Sequence, residues 1–192
     1  MRYLITGCGR SGTASMASYL SCVHELDSEL QLNPALVQER FDAGMKRAGR
    51  YGECSSYLVA CAAELRVEVL AVIVRHPIRL VLSLMNRKPP TQWQKAMDTL
   101  IFQLEHVVQL WGKADVRLRF EKLQYWEHRA VLAGALERAG PLRNHNWPHV
   151  NKTREFRFDS VPRDMAAQVQ RYTDLFYPDR ADHRSLFQLE GL

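Results

Sequence analysis

The segment Gly7-Cys-Gly-Arg-Ser-Gly-Thr13 constrains this chain more than any other. A short apolar run, Arg2 to Thr6, leads into it, and Ala-Ser-Met-Ala-Ser-Tyr-Leu follows it with helical composition. Strand, glycine turn and helix in that order place successive backbone N–H groups around an anion, with the positive end of the helix behind them. The spacing G-x-x-x-x-G is that of a phosphate-binding loop. The Lys-Ser/Thr pair that grips an ATP terminal phosphate is absent, because Thr13-Ala14 stands in its place, and the local cation is Arg10, inside the loop.

The rest of the chain repeats the alternation. Pro34 to Gly49 predicts a helix, with proline in its first turn and glycine after its end. A short strand is expected at Tyr51 to Glu53, helix at Tyr57 to Leu65, and a fully buried strand at Val67 to Val74, which carries no charge after Glu68. Pro77 opens another helix. Trp93 to Trp111 is a long amphipathic one, with Ala96, Leu100, Leu104, Val107, Val108 and Trp111 at helical spacing. Val116 to Phe120 alternates as a strand, Tyr125 to Ala139 is helical before Gly140-Pro141, and Asp159 to Phe176 contains a final helix. Asn144 to Phe158 has no clear period and reads as a loop, and the tail after Pro178 reads as peripheral. Alternating strands and helices predict a mainly parallel sheet covered on both sides, with its ligand crevice beyond the carboxyl ends of the strands. Residues 1–192 fit one domain, and 46% hydrophobic residues suffice for its core.

A net charge of +5 suits a phosphate, sulfate or acidic-sugar ligand. Lys and Arg are dispersed, so no nucleic-acid-binding arm is expected. Cys8, Cys22, Cys54 and Cys61 have neither C-x-x-C spacing nor disulfide-scaffold density, which predicts reduced thiols and a cytoplasmic setting. The opening residues are too glycine-rich for a leader or membrane anchor, and no other run approaches a membrane span. No clustered Asp, His or Cys set calls for a metal.

A second constellation begins where Val74 gives way to Arg75-His-Pro77. A P-loop kinase often places an acidic residue here, and this chain places arginine. On the following helix Arg79, Ser83, Asn86 and Arg87 make a polar stripe, so that Arg75 and Ser83 can grip one phosphate. Together the two constellations resemble the sulfotransferases that use 3′-phosphoadenosine-5′-phosphosulfate (PAPS). The segment Gly9 to Thr13, GRSGT, is similar to their 5′-phosphosulfate loop, and Arg75 with Ser83 eight residues later is similar to their 3′-phosphate motif. Phe-Glu-Lys-Leu at 120 to 123 resembles the segment after a core strand in that family.

The resemblance covers roughly residues 2 to 155. It implies a three-layer, P-loop-NTPase-like α/β fold and sulfuryl transfer from PAPS to an acceptor hydroxyl by in-line displacement. Arg10 then contacts the 5′-phosphate and the leaving oxygen, while Gly9, Ser11, Gly12, Thr13 and Ala14 complete the cradle. Arg75 and Ser83 bind the 3′-phosphate. Phe120 faces adenine or belongs to the core, and Lys152 or Arg154 reaches the nucleotide phosphates. Tyr51-Gly-Glu-Cys-Ser-Ser-Tyr57 looks like the Glu-containing segment of the carbohydrate sulfotransferases, which makes Glu53 the expected general base, at a strand tip facing the crevice. Two other readings share the opening loop: an ATP-dependent kinase of the P-loop class, and a noncatalytic nucleotide- or polyanion-binding domain. The motifs specify neither the acceptor nor the oligomeric state.

Overall fold

The computed structural model describes residues 1–28, 33–136 and 161–179. Five strands form one all-parallel sheet in the order β2-β3-β1-β4-β5: β1 Arg2–Gly7, β2 Val23–His24, β3 Tyr51–Ser55, β4 Val69–Val74 and β5 Val116–Arg119. After β1 the chain moves outward to β2, returns through β3, and then crosses to β4 on the other side of β1. The order therefore reverses at β1, so the loops leaving β1 and β4 separate and open a crevice at their carboxyl ends.

Period-two alternation on a doubly covered sheet sends every second side chain to each face. In β4, Leu70, Val72 and Val74 face a core that holds Phe41, Leu100, Leu104, Val107 and Phe176. Val69, Ala71 and Ile73 face the opposite core with Met16, Tyr19, Leu132 and Leu136. The first face is covered by α2 Pro34–Ala48, α3 Pro77–Met85, α4 Trp93–Trp111 and α6 Arg163–Phe176, the second by α1 Thr13–Leu20 and α5 Trp126–Leu136. This is the expected three-layer α/β arrangement. No helix among the described residues is long and apolar enough to cross a membrane.

Local chemistry explains where elements begin and end. The α2 helix starts at Asn33, whose side chain accepts from the Ala35 N–H at 3.0 Å, with Pro34 next, where an N–H would have no helical partner. It stops at Gly49, in the left-handed region, whose N–H donates to Met45 O.

Three expectations are corrected. Tyr57 to Leu65 is not an α-helix but two short 3-10 turns, Tyr57–Ala60 and Ala62–Glu64. The Ser55 hydroxyl accepts from the N–H groups of Tyr57 and Leu58, and Leu65 is already extended, so the segment has no room to propagate. The strand expected at Val67 begins at Val69. On α4 the buried stripe runs through Met97, Leu100, Gln103, Leu104, Val107 and Leu110, displaced from Ala96 and Trp111. The two-residue β2 strand was not anticipated.

Candidate functional site

Gly7 ends β1 against the neighbouring strand so closely that a Cβ there would lie 2.2 Å from Ile73 O. The loop then turns through two left-handed positions, Arg10 at φ 73° and Gly12 at φ 103°. Gly12 is the N-cap of α1, with no side-chain cap, so the first N–H groups of that helix have no partner within it. Alternating backbone hands above an uncapped helix form a concave nest that favours an anion. Phe120 packs against Gly12, where a Cβ would approach its Cδ2 to 2.3 Å, and the Arg75 guanidinium lies over the same ring at 4.9 Å.

The two halves read from the sequence are joined. Arg10 Nε donates to Ser83 Oγ at 3.2 Å, and an Arg75 terminal nitrogen donates to Arg10 O at 3.1 Å. The buried Arg75 Nε has no hydrogen-bond partner among the described residues. Burial pulls the Arg75 guanidinium below its usual value; Glu121 acts against that shift, while Arg79 and Arg10 add to it. Burial, and then Arg87, pull Arg10 in the same direction, with Glu25 opposing. Clustered, partly desolvated cations, one of them with an unpartnered donor, are the environment that a multiply charged anion relieves. Glu121 itself is committed elsewhere, accepting from the His76 N–H at 2.9 Å and the Tyr177 hydroxyl at 2.6 Å, which braces the turn into α3.

The resulting cleft, about 290 Å³, is lined by Gly9, Arg10, Gly12, Thr13, Ala14, Ser15, His24, Glu25, Ser56, Tyr57, Arg75 and Phe120. Six of the expected cradle residues are therefore not equivalent. Arg10, Gly12, Thr13 and Ala14 line it, whereas the Gly9 N–H is taken by Gln103 Oε1 at 2.9 Å. Ser11 turns inward: its N–H donates to Cys8 O at 3.0 Å and its hydroxyl is buried beneath the loop, where a Cβ on Gly7 would meet it at 2.6 Å. Ser83 is also buried, at the end of the Arg10 side chain, outside the cleft lining. Lys152 and Arg154 lie outside the described residues.

Glu53 does not face the crevice. It is fully buried in mid-strand, with Arg40 of α2 at 3.2 Å and the Tyr51 hydroxyl donating to it at 3.4 Å. Asp27 takes the Arg40 fork at 2.9 and 2.7 Å, leaving Glu53 the weaker share, and burial consequently pushes the Glu53 carboxyl above its ordinary value. The strand continues two residues past it, so it is not a tip residue.

Among the described residues, the carboxylate that reaches the cleft is Glu25. It follows β2 in the left-handed region at φ 44°, its N–H donates to Cys54 O at 3.2 Å, and its Oε1 accepts from Ser56 Oγ at 2.7 Å. His24 Nε2 is 3.7 Å from the same oxygen. Sequence reasoning passed over Glu25 because the strand that leads directly into it is two residues long. The strained φ of a non-glycine residue is visible only in coordinates.

No family model matches this chain, and no curated protein matches it. Among solved structures, it is similar to the sulfotransferase domain of the olefin synthase of Synechococcus PCC 7002, with 13% identity, a TM-score of 0.48, and 75% of this chain and 74% of that one covered. A sulfotransferase from Alicyclobacillus acidocaldarius gives 12% identity, a TM-score of 0.48, and coverage of 89% and 90%.

Proposed function

We propose that this protein is a sulfotransferase that moves the sulfuryl group of PAPS to an acceptor hydroxyl. The observation that carries the reading is the join of Arg10, Arg75 and Ser83 beside an uncapped helix terminus. At the tip of β4, where an ATP enzyme needs an acid for its magnesium, stands the half-buried Arg75, whose buried Nε has no hydrogen-bond partner among the described residues. That donor suits a phosphate of the nucleotide. The 3′-phosphate is the group that distinguishes PAPS from ATP.

In this reading the α1 N-terminus and the backbone of Gly12 to Ala14 hold the 5′-phosphosulfate, Arg75 takes the 3′-phosphate, Ser83 positions the Arg10 side chain from beneath, and Phe120 contributes an apolar ring to the nucleotide side of the cleft. The acceptor oxygen forms a bond to sulfur as the bond from sulfur to the 5′-phosphate oxygen breaks. The acceptor proton passes to Glu25, whose Oε1 is already oriented by Ser56. Arg10 offsets the charge that grows on the departing phosphate without giving up a proton, since a guanidinium stays protonated. Positioning and charge stabilisation supply most of the rate, as in phosphoryl transfer.

The direct test compares binding of 3′-phosphoadenosine-5′-phosphate (PAP) with binding of ATP and Mg²⁺. A charge-assisted contact is worth about 1.5–3 kcal/mol, so the Arg75 contact alone predicts a preference for PAP of about ten- to a hundredfold. Equal or tighter binding of ATP would reject the assignment.

A further inference from the structure

The four cysteines look unrelated in sequence, yet two of them meet at the sheet edge. Cys22 immediately precedes β2 and Cys54 lies within β3, and their sulfur atoms are 3.4 Å apart. Both are free thiols. The pair is asymmetric in access. Cys54 is fully buried, whereas Cys22 is only partly so and lines a second cleft of about 620 Å³ toward the amino ends of β1 and β3. Tyr3, Arg50 and Tyr51 share that cleft, with the Arg50 guanidinium 5.7 Å from the centre of the Tyr3 ring. Cys8 and Cys61 are buried in the core on the opposite face of the sheet, away from this cleft.

We propose that Cys22 and Cys54 form a redox-active pair in which Cys22 is the site of attack on a hydroperoxide and Cys54 is the resolving thiol. The Cys22 sulfur attacks one peroxide oxygen, giving a sulfenic acid as the O–O bond breaks and the other oxygen leaves, protonated, as water or an alcohol. The Cys54 sulfur then attacks the Cys22 sulfur. The sulfenic oxygen leaves with the Cys54 proton as water, and the disulfide remains. Two electrons have passed from the two sulfurs to the peroxide, and a dithiol reductant returns them.

The surroundings suit these roles. The contact with the Cys54 sulfur holds Cys22 below the usual thiol range against the pull of burial; the Tyr3 hydroxyl and Arg50 also favour the thiolate, and the charge of Glu53 opposes it. Burial pushes Cys54 up, keeping it protonated until its neighbour is oxidised. The bond would fasten the two-residue edge strand to β3 just before Glu25, whose N–H already donates to Cys54 O. The proposal stands independently of the sulfotransferase reading.

Native protein treated with hydrogen peroxide and mapped by mass spectrometry tests it. The expected result is loss of two thiols per chain, a single Cys22–Cys54 link reversed by dithiothreitol, and slower amide exchange at Val23 to Glu25. In Cys54→Ala the reaction should stop at a Cys22 sulfenic acid that dimedone captures, and in Cys22→Ser, at a partly exposed position that tolerates a hydroxyl, no link should form. Retention of all four thiols, a link through Cys8 or Cys61, or a wild-type protein that stops at the sulfenic acid overturns the proposal.

Discussion

Replacing Glu25 and Glu53 in turn by glutamine separates two carboxylates that occupy opposite environments. Glu25 meets the cleft and accepts from Ser56 Oγ, and a glutamine carbonyl accepts the same bond, so Glu25→Gln keeps the geometry of the cradle and removes the capacity to take a proton together with a negative charge near Arg10. General-base assistance is worth about 10²–10⁴ in rate, equivalent to about 3–5 kcal/mol of barrier. Transfer should fall by that factor, with PAP affinity equal or tighter in a calorimetric titration, since a negative charge beside the cradle is removed. Glu53→Gln acts on stability instead. Arg40 keeps its fork on Asp27, so the loss is confined to two long contacts and is partly offset by removing a buried charge. We expect a change within about 2 kcal/mol at neutral pH. Its pH dependence is sharper. Unfolded, Glu53 titrates near its ordinary value of 4.5, and folded it titrates higher. Between the two the folded state binds more protons, so the contribution of Glu53 to stability declines as pH rises through that window and stays at its lower level above it. Urea melts of Glu53→Gln against wild type should therefore show the variant gaining relative stability from pH 4 toward neutrality. Loss of transfer in Glu53→Gln with full transfer in Glu25→Gln would refute the assignment of both residues.

Three other substitutions probe the cradle. Gly12→Ala must hold a left-handed φ, about 1–2 kcal/mol, and displace the Phe120 ring, about 1–3 kcal/mol; a lower urea midpoint at unchanged slope is expected, and wild-type stability would contradict the packing at Gly12. Arg75→Ala should weaken PAP binding by about ten- to a hundredfold while ATP binding changes little, and a uniform loss for both nucleotides would mean that Arg75 does not read the 3′-phosphate. Gln103→Leu removes the acceptor of the Gly9 N–H and leaves that donor unsatisfied, about 1–3 kcal/mol; the cost should appear as weaker binding of both PAP and ATP, and unchanged affinities would show that the loop holds its shape without α4.

Most of the fold was legible because its signals are local and repeated. Asn33-Pro34 and Gly49 delimit α2 by satisfying or removing backbone groups at its ends, and the uncharged run of β4 states that both faces of the sheet are covered. The failures lie where tertiary contacts outweigh composition. Tyr57 to Leu65 has helix-forming residues, but the Ser55 hydroxyl captures its first N–H groups, and the chain must then step past β1 to reach β4. Gln103 sits on the apolar stripe of α4 as though misplaced. Its reason is the Gly9 N–H, 94 residues earlier in the chain, which no periodicity can report.

The site divides along the same line. The turn at Gly7 and Gly12 with Arg10 between them was readable because strand, glycine turn and helix are contiguous in sequence with a conformational requirement at each glycine, and the placement of Arg75 and Ser83 because one strand tip and one helix fix their separation. What the sequence did not disclose gathers at β2. Two residues of strand carry no period, yet pairing with β3 sets Cys22 against Cys54, turns Glu25 into the cleft beside Ser56, and draws Asp27 onto Arg40 so that Glu53 is sealed behind it. A carboxylate at residue 53 had the stronger sequence context, since it follows a recognisable strand and precedes a serine turn. Geometry reverses the preference because the same parallel pairing that buries Glu53 in mid-strand places residue 25 beyond the strand end, where the chain is free to turn toward Arg10. If the register between β2 and β3 slipped by one residue, every side chain on this edge would change face. A disulfide between Cys22 and Cys54 would therefore hold in place the register on which the position of Glu25 depends.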